Sequence, residues 1–207
     1  MLSRPPNRIV LILPCCIGDV VLATATLKAL RRAFPRASIA WAVGTWSRAV
    51  VENHPDVNEI LDTGPNALPV KSLAGFGRFV RKLAAGQYDL AVSLVRSPLM
   101  SLAVRLSGIP VRAGLDSDGR GRGYNIRAAV DPNKERHEAE IYLDVARAMG
   151  LDVSDCRANV PARVEDTIAA RHALSSVGVT EAIAVINPAG GQNPGMKMDA
   201  KRYPPVG

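Results

Sequence analysis

A short loop near the start of the chain carries the residues best suited to chemistry. Residues 14–19 (PCCIGD) follow the apolar run 8–13 and precede a stretch whose apolar residues recur every three or four positions. The apolar run is typical of a buried strand, and the stretch after the loop is typical of an amphipathic helix. Because open α/β sheets bind ligands at the carboxyl ends of strands, this loop is the first place to look for function. Asp19 can cap the helix, and Gly18 lets the backbone turn or a ligand approach closely.

Four arginines are concentrated between residues 112 and 127, with only two aspartates near them. They are Arg112, Arg120, Arg122 and Arg127. The planar guanidinium fork suits phosphate and carboxylate groups, so this segment can bind an anionic ligand. A solvated loop of arginines without a ligand is the competing interpretation.

A glycine-rich segment follows an apolar run at residues 182–187. Asn187, Gly190 and Gly191 stand at its start, and Lys201 lies further along. Backbone N–H groups of such loops can approach a diphosphate closely. A proline-glycine linker with incidental lysines is the alternative.

Strand-like and helix-like segments alternate along most of the chain. The pattern predicts strands at 8–13, 38–43, 57–61, 88–95, 110–115 and 182–187. It predicts helices at 19–34, 71–85, 98–106, 136–149 and 163–176, and a loop at 116–133. Alternation of this kind predicts an α/β fold, a Rossmann-like parallel sheet with flanking helices and right-handed crossovers.

Composition limits the class of protein and the nature of its partners. The 207 residues are 47% hydrophobic and carry a net charge of +7, so the chain can bury a core and favours an anionic partner. No apolar run approaches the ~20 residues of a membrane span. Cys15, Cys16 and Cys156 are predicted to be reduced thiols, because adjacent cysteines rarely pair, and this favours the cytoplasm.

Several other functions remain to be weighed against the motifs. A nucleotide-dependent oxidoreductase is disfavoured, because no G-x-G-x-x-G follows the first strand and no acidic residue ends the second. Nucleic-acid binding is disfavoured because the basic residues are scattered over several elements. A non-catalytic Rossmann-like module that binds anionic lipid or glycan remains an alternative to an enzyme.

Four stretches, taken in order, resemble glycosyltransferase family 9, the ADP-heptose:lipopolysaccharide heptosyltransferases and their relatives. The first two are IGDVV at 17–21 and HPDV at 54–57. The third combines RAG at 112–114, the arginine loop and HEAEIYL at 137–143. The fourth is INP at 186–188 with KRYP at 201–204.

The resemblance implies a GT-B architecture in which two Rossmann-like domains face each other across a cleft. Residues 1–178 would be the N-terminal acceptor-binding domain, and residues 179–207 the beginning of a C-terminal nucleotide-sugar-binding domain. The implied reaction is inverting sugar transfer, without metal or cofactor, from a nucleotide-sugar such as ADP-heptose to a lipopolysaccharide core acceptor. The implied location is the cytoplasmic face of the inner membrane, with peripheral attachment and no nucleic-acid partner.

The resemblance also implies roles for single residues. Asp19 would be the general base that takes the proton from the acceptor hydroxyl. Gly18, Arg120 and Arg122 would bind the acceptor. Donor binding would fall to Asn187, Gly190, Gly191 and Lys201, with Lys201 on the donor phosphates. Because the later donor-domain motifs of the family are missing from these 207 residues, we expect little transferase activity from them alone.

Overall fold

A six-stranded, fully parallel sheet with helices on both faces forms the computed structural model, which describes residues 4–179 and residue 183. Its strands are β1 (Arg8–Ile12), β2 (Ser38–Val43), β3 (Glu59–Asp62), β4 (Leu90–Ser93), β5 (Val111–Asp116) and β6 (Ile126–Ala129). The helices are α1 (Ile17–Ala33), α2 (Leu73–Ala85), α3 (Pro98–Leu106), α4 (Glu138–Ala148) and α5 (Val164–Ser176). The predicted α/β fold class, a Rossmann-like parallel sheet with flanking helices, is confirmed. The strand predicted at 182–187 lies outside the described residues.

Strand β1 is the centre of the sheet. The strand order is β3-β2-β1-β4-β5-β6, so the chain first winds outward through β2 and β3 and then returns to the other side of β1. Ile9 is paired with Ile39 of β2 on one side and with Leu90 of β4 on the other. The order therefore reverses between β1 and β4, which is where open sheets of this type bind ligands.

Right-handed crossovers place the helices in two layers. Helices α1 and α4 pack against each other on one face of the sheet, and α2 packs beside α3 on the other. In α1, Val20, Ala23, Leu27 and Leu30 are fully buried, which confirms the predicted helical spacing of apolar residues. Large side chains from both layers complete the core, among them Trp41 of β2 and Phe79 of α2.

The segment 116–133, predicted as a loop, contains the edge strand β6, and that part of the prediction is wrong. The strand is only four residues long, Arg127 interrupts its apolar residues, and Ala128 alone among the four is buried, so its sequence signal is weak. The preceding residues return along α3, where the Ser101 hydroxyl donates to the Arg120 carbonyl at 2.8 Å. The Tyr124 hydroxyl donates to Ser93 Oγ at 2.8 Å and anchors the segment to β4.

Helix α5 differs from the other helices because none of its residues is buried. Val164 and Ile168 are 71% and 62% exposed. Neither α5 nor any other helix between residues 4 and 179 combines the length and apolar character that crossing a membrane requires.

Two glycine substitutions test the packing of the helix layer formed by α2 and α3. A Cβ at Gly123 would lie 2.0 Å from the Ser101 carbonyl oxygen, so Gly123→Ala must push the loop away from α3. We expect it to lower the free energy of unfolding by about 1–3 kcal/mol. A Cβ at Gly77, inside α2, would meet nothing within 4 Å. Gly77→Ala should therefore raise stability by about 0.5–1 kcal/mol.

Urea denaturation followed by circular dichroism measures both changes. Equal stability of Gly123→Ala and the unchanged chain would contradict the close contact between the loop and α3.

Candidate active site

Asp19 lies in the first turn of α1, directly beyond the carboxyl end of the central strand β1. The helix begins earlier than predicted, because the Val20 N–H already donates to the Cys16 carbonyl at 2.8 Å. Cys16 is the N-cap residue and makes no side-chain capping bond. The prediction that Asp19 caps the helix is therefore wrong. Asp19 is a partly exposed residue, and it stands where the helix dipole favours a negative charge.

The turn before α1 is made by Cys15 and Cys16, which form a disulfide with a Cα–Cα distance of 3.1 Å. The prediction of reduced thiols is wrong for this pair. It is confirmed for Cys156, which is free and buried. Gly18 lies inside α1, and a Cβ there would meet nothing within 4 Å, so the turn does not require a glycine. The predicted contact of Gly18 with an acceptor stays a prediction.

Three further side chains share the electrostatic environment of Asp19. Arg96 follows β4, and its guanidinium donates to the carboxylate of Glu138 at the start of α4. Burial raises the pKa of the Tyr142 phenol, and the negative charges of Asp19 and Glu138 raise it further. Arg96 opposes this shift of the Tyr142 pKa. Helix α1, the segment after β4 and helix α4 therefore place two acids and an arginine around the phenol of Tyr142.

Sequence reasoning did not identify Arg96, Glu138 or Tyr142 as site residues. Glu138 and Tyr142 lie within the HEAEIYL stretch. From helical spacing alone, Glu138 is a residue of the first helical turn and Tyr142 is a residue of the core. Arg96 Nε is buried and has no hydrogen-bond partner among the described atoms. The only signal for Arg96 in the sequence was its position just after a strongly apolar strand.

Two histidines of the motif stretches have structural roles. His137 is the N-cap of α4, and its Nδ1 accepts the Ala139 N–H at 3.3 Å. His54 Nδ1 accepts the Asp56 N–H at 3.2 Å and closes the turn that precedes β3. Arg31 of α1 donates to the carbonyl of Asp56 at 2.9 Å, which ties this turn to the helix. The HPDV stretch thus supports the fold rather than the reaction.

The four arginines predicted to share a loop divide into two groups. The prediction is wrong for Arg112 and Arg127, which lie in strands β5 and β6. Arg112 Nε donates to the Gly123 carbonyl at 2.9 Å, and Arg127 forms an ion pair with Asp116 at 3.4 Å, so both hold the intervening loop in place. Arg120 and Arg122 are exposed and line a cavity of about 280 Å³. Arg105, Leu102 and Asp118 also line it.

The structure does not place all the predicted site residues in one cluster. Arg120 and Arg122 lie with α3, whereas Glu138 and Tyr142, the neighbours of Asp19, belong to α4 in the opposite helix layer. The predicted donor-binding residues Asn187, Gly190, Gly191 and Lys201 lie outside the described residues. In the part of the chain that the structure describes, no three His, Cys, Asp or Glu residues are grouped to hold a metal ion. Metal independence stays a prediction.

Comparison with curated proteins gives two heptosyltransferases. Lipopolysaccharide heptosyltransferase 2 of Escherichia coli (strain K12) is 26% identical over 146 residues, which cover 70% of this chain and 41% of that protein. Lipopolysaccharide heptosyltransferase 3 of Escherichia coli is 23% identical over 138 residues, or 65% of this chain and 41% of that protein. The match thus spans less than half of each relative. No protein-family model matches the chain.

Solved structures show the same fold. A glycosyltransferase family 9 protein from Veillonella parvula has a TM-score of 0.67 and 24% identity, with 84% of this chain and 50% of that chain covered. The ADP-heptose lipopolysaccharide heptosyltransferase II of Escherichia coli has a TM-score of 0.62 and 20% identity, with 84% and 51% covered. An Escherichia coli heptosyltransferase with ADP-2-deoxy-2-fluoro heptose has a TM-score of 0.58 and 18% identity, with 74% and 51% covered.

The sequence and fold comparisons agree with each other. The chain is similar in sequence to heptosyltransferases, and its sheet and helices match one half of family 9 structures. The resemblance to glycosyltransferase family 9 that the four stretches predicted is confirmed.

The buried phenol of Tyr142 makes stability sensitive to alkaline pH. Its pKa is raised in the folded state, so the folded chain keeps a proton that the unfolded chain loses above pH 10. This contribution to stability is present in full below pH 10 and declines as the pH rises further. Tyr142→Phe should make the fall in unfolding free energy shallower by about 1.4 kcal/mol per pH unit above pH 10.

Denaturation at a series of pH values between 8 and 12 measures this slope. An identical slope in Tyr142→Phe and the unchanged chain would contradict the burial of the phenol beside Asp19 and Glu138.

Proposed function

We propose that this chain provides the acceptor-binding half of an inverting, metal- and cofactor-independent glycosyltransferase of the heptosyltransferase type. Residues 1–178 form the acceptor domain, and residues 179–207 begin the nucleotide-sugar domain. The donor is a nucleotide-sugar, ADP-heptose by analogy, and the acceptor is a lipopolysaccharide core. The protein acts in the cytoplasm, peripherally attached to the inner membrane. The names of the relatives and the ADP-2-deoxy-2-fluoro heptose in one structural neighbour support the choice of substrates.

The position of Asp19 carries this proposal. Asp19 is a partly exposed residue in the first turn of α1, at the edge where the strand order reverses. A carboxylate within hydrogen-bond reach of an acceptor hydroxyl can act as a general base. Asp19 takes the hydroxyl proton while the acceptor oxygen forms a bond to the anomeric carbon. The bond to the nucleoside diphosphate breaks on the opposite face, and the leaving group takes the electron pair, so the configuration is inverted.

Glu138 is the other carboxylate of this region, and it accepts a hydrogen bond from Arg96. It lies at the start of α4 and interacts electrostatically with Tyr142 of the same helix. We assign Glu138, Arg96 and Tyr142 to the wall of the acceptor site, and we assign the reaction to Asp19, the position to which the family resemblance gives the base.

The donor side of the proposal rests on the resemblance. Backbone N–H groups near Asn187, Gly190 and Gly191 would bind the diphosphate, and Lys201 would offset the charge that develops on the leaving group. The match covers 41% of the length of the curated relatives, so we expect these 207 residues to have little transferase activity by themselves. An assay of transfer therefore needs a complete donor half.

Asp19→Asn tests the general base. In this chain joined to the carboxy-terminal half of a heptosyltransferase relative, we expect kcat to fall about 10²–10⁴-fold while acceptor binding is retained. The reason is that the amide keeps the size of the side chain but cannot accept the proton. Release of ADP from ADP-heptose measures the rate. Asp155→Asn, which changes an exposed aspartate in a turn, serves as the matched control.

Transfer at an unchanged rate in Asp19→Asn would exclude the assigned base. If the extended chain bound acceptor but transferred no sugar with Asp19 intact, the non-catalytic anion-binding module would be the better account.

Arg120 and Arg122 test acceptor binding separately from chemistry. Replacing either with Gln removes a charged donor from the cavity beside α3. We expect each change to weaken binding of a phosphorylated core acceptor at least ~10-fold, because charge-assisted hydrogen bonds contribute about 1.5–3 kcal/mol. Calorimetry on the 207-residue chain measures this without the donor half. Arg36→Gln, at an exposed site after α1, should bind as the unchanged chain does.

Acceptor affinity that is equal in the Arg120, Arg122 and Arg36 variants would remove the loop from the acceptor site. The assignment of Asp19 would not be affected by that result.

A further inference from the structure

The two helix layers of this fold differ sharply in charge. Helices α2 and α3 contain four basic residues and no acidic residue. Helices α1 and α4 contain four basic and four acidic residues. A fold of this type does not require such an asymmetry, because each layer needs only an apolar side toward the sheet.

The arginines of the basic layer are also unpaired. Arg78, Arg81 and Arg105 are exposed, and within residues 4–179 none of them forms an ion pair. In the other layer, Arg32 is paired with Asp152 and Arg147 with Glu140. The charge of the α2–α3 layer is therefore available to an external anionic partner.

Exposed leucines accompany these arginines. Leu99, Leu102 and Leu106 of α3 are 48%, 42% and 58% exposed. Their spacing of three and four residues places them in one stripe along the helix, and Arg105 flanks it. Leu73, at the start of α2, is 93% exposed. Among the described residues of α1 and α4, Ile17 is the one large apolar side chain with comparable exposure.

The cavity lined by Arg120 and Arg122 adjoins this stripe, since Leu102 and Arg105 line it as well. Asp118 is the one acidic residue in its lining. The cavity thus offers guanidinium groups to a phosphate at the same surface that presents leucine side chains.

We propose that the surface of α2 and α3, which borders the cavity of Arg120 and Arg122, docks on a bilayer of anionic lipids. The leucine stripe enters the boundary between headgroups and acyl chains, and the arginines pair with lipid phosphates. The inference rests on the proposed function for its setting, an acceptor carried by a membrane, but the surface recognises the bilayer itself. A nucleic acid would satisfy the arginines and leave the leucines exposed to water, so the apolar stripe favours a membrane.

Flotation of the 207-residue chain with lipid vesicles tests the proposal. We expect binding to vesicles of phosphatidylethanolamine and phosphatidylglycerol (3:1) and at least ~10-fold weaker binding to pure phosphatidylcholine.

The triple variant Arg78→Glu, Arg81→Glu, Arg105→Glu should bind the anionic vesicles about 100-fold more weakly, at roughly fivefold for each arginine lost. The triple variant Leu99→Ser, Leu102→Ser, Leu106→Ser should bind at least ~10-fold more weakly.

The control variant carries Arg36→Glu and Ile168→Ser, which remove an exposed arginine and an exposed apolar residue outside this surface. It should bind as the unchanged chain does, and circular dichroism confirms folding of all variants. Absence of vesicle binding by the unchanged chain, full binding by either triple variant, or equal loss in the control overturns the proposal. So does binding to duplex DNA as tight as to anionic vesicles. The double variant Arg78→Glu, Arg81→Glu changes no residue that lines the cavity of Arg120 and Arg122. Transfer to a soluble acceptor by the extended chain should be unchanged in this double variant while its vesicle binding falls, which separates this proposal from the proposed function.

Discussion

The pairing of β1 on both of its edges is the constraint on which the rest of the structure depends. Residues Ile9–Ile12 hydrogen-bond to β2 and to β4 and are completely buried. A strand enclosed in this way cannot shift its register without exposing apolar side chains, so its end point is held firmly. Asp19 is seven residues beyond Ile12, and its position follows from that end point. The candidate base therefore depends on the most rigid element of the fold.

The two faces of the sheet have different tasks under the proposals made above. The face of α1 and α4 balances its charges internally and forms one wall of the groove through Arg96, Glu138 and Tyr142. Within residues 4–179, the arginines of the α2–α3 face form no ion pair, and the leucines of α3 are exposed. The sheet therefore lies between the helix layer that contains the proposed reaction groups and the layer that contains the proposed membrane surface.

Some features of the fold were predictable because the physical signal is local. Apolar runs without helical period marked β1, β2 and β4, and the spacing of Val20, Ala23, Leu27 and Leu30 marked α1. The edge strand β6 gave no such signal, because only Ala128 is covered and its pairing with β5 depends on a neighbour far along the chain. The Cys15–Cys16 disulfide was missed because adjacent cysteines favour reduced thiols in the absence of structural information. The start of α1 was misplaced because Asp19 is a typical cap residue, whereas the structure has Cys16 at the N-cap without a side-chain capping bond.

For the candidate site, the sequence by itself determined the loop that ends in Asp19, the arginine segment and the likeness to glycosyltransferase family 9. These three features depend only on the residue types and on their order along the chain, so they can be recognised without a structure. Only the tertiary structure decided that Arg96, Glu138 and Tyr142 share the environment of Asp19, and that Arg112 and Arg127 hold the loop while Arg120 and Arg122 line a cavity. Such assignments require contacts between residues far apart in sequence, which the parallel crossovers of the sheet bring together.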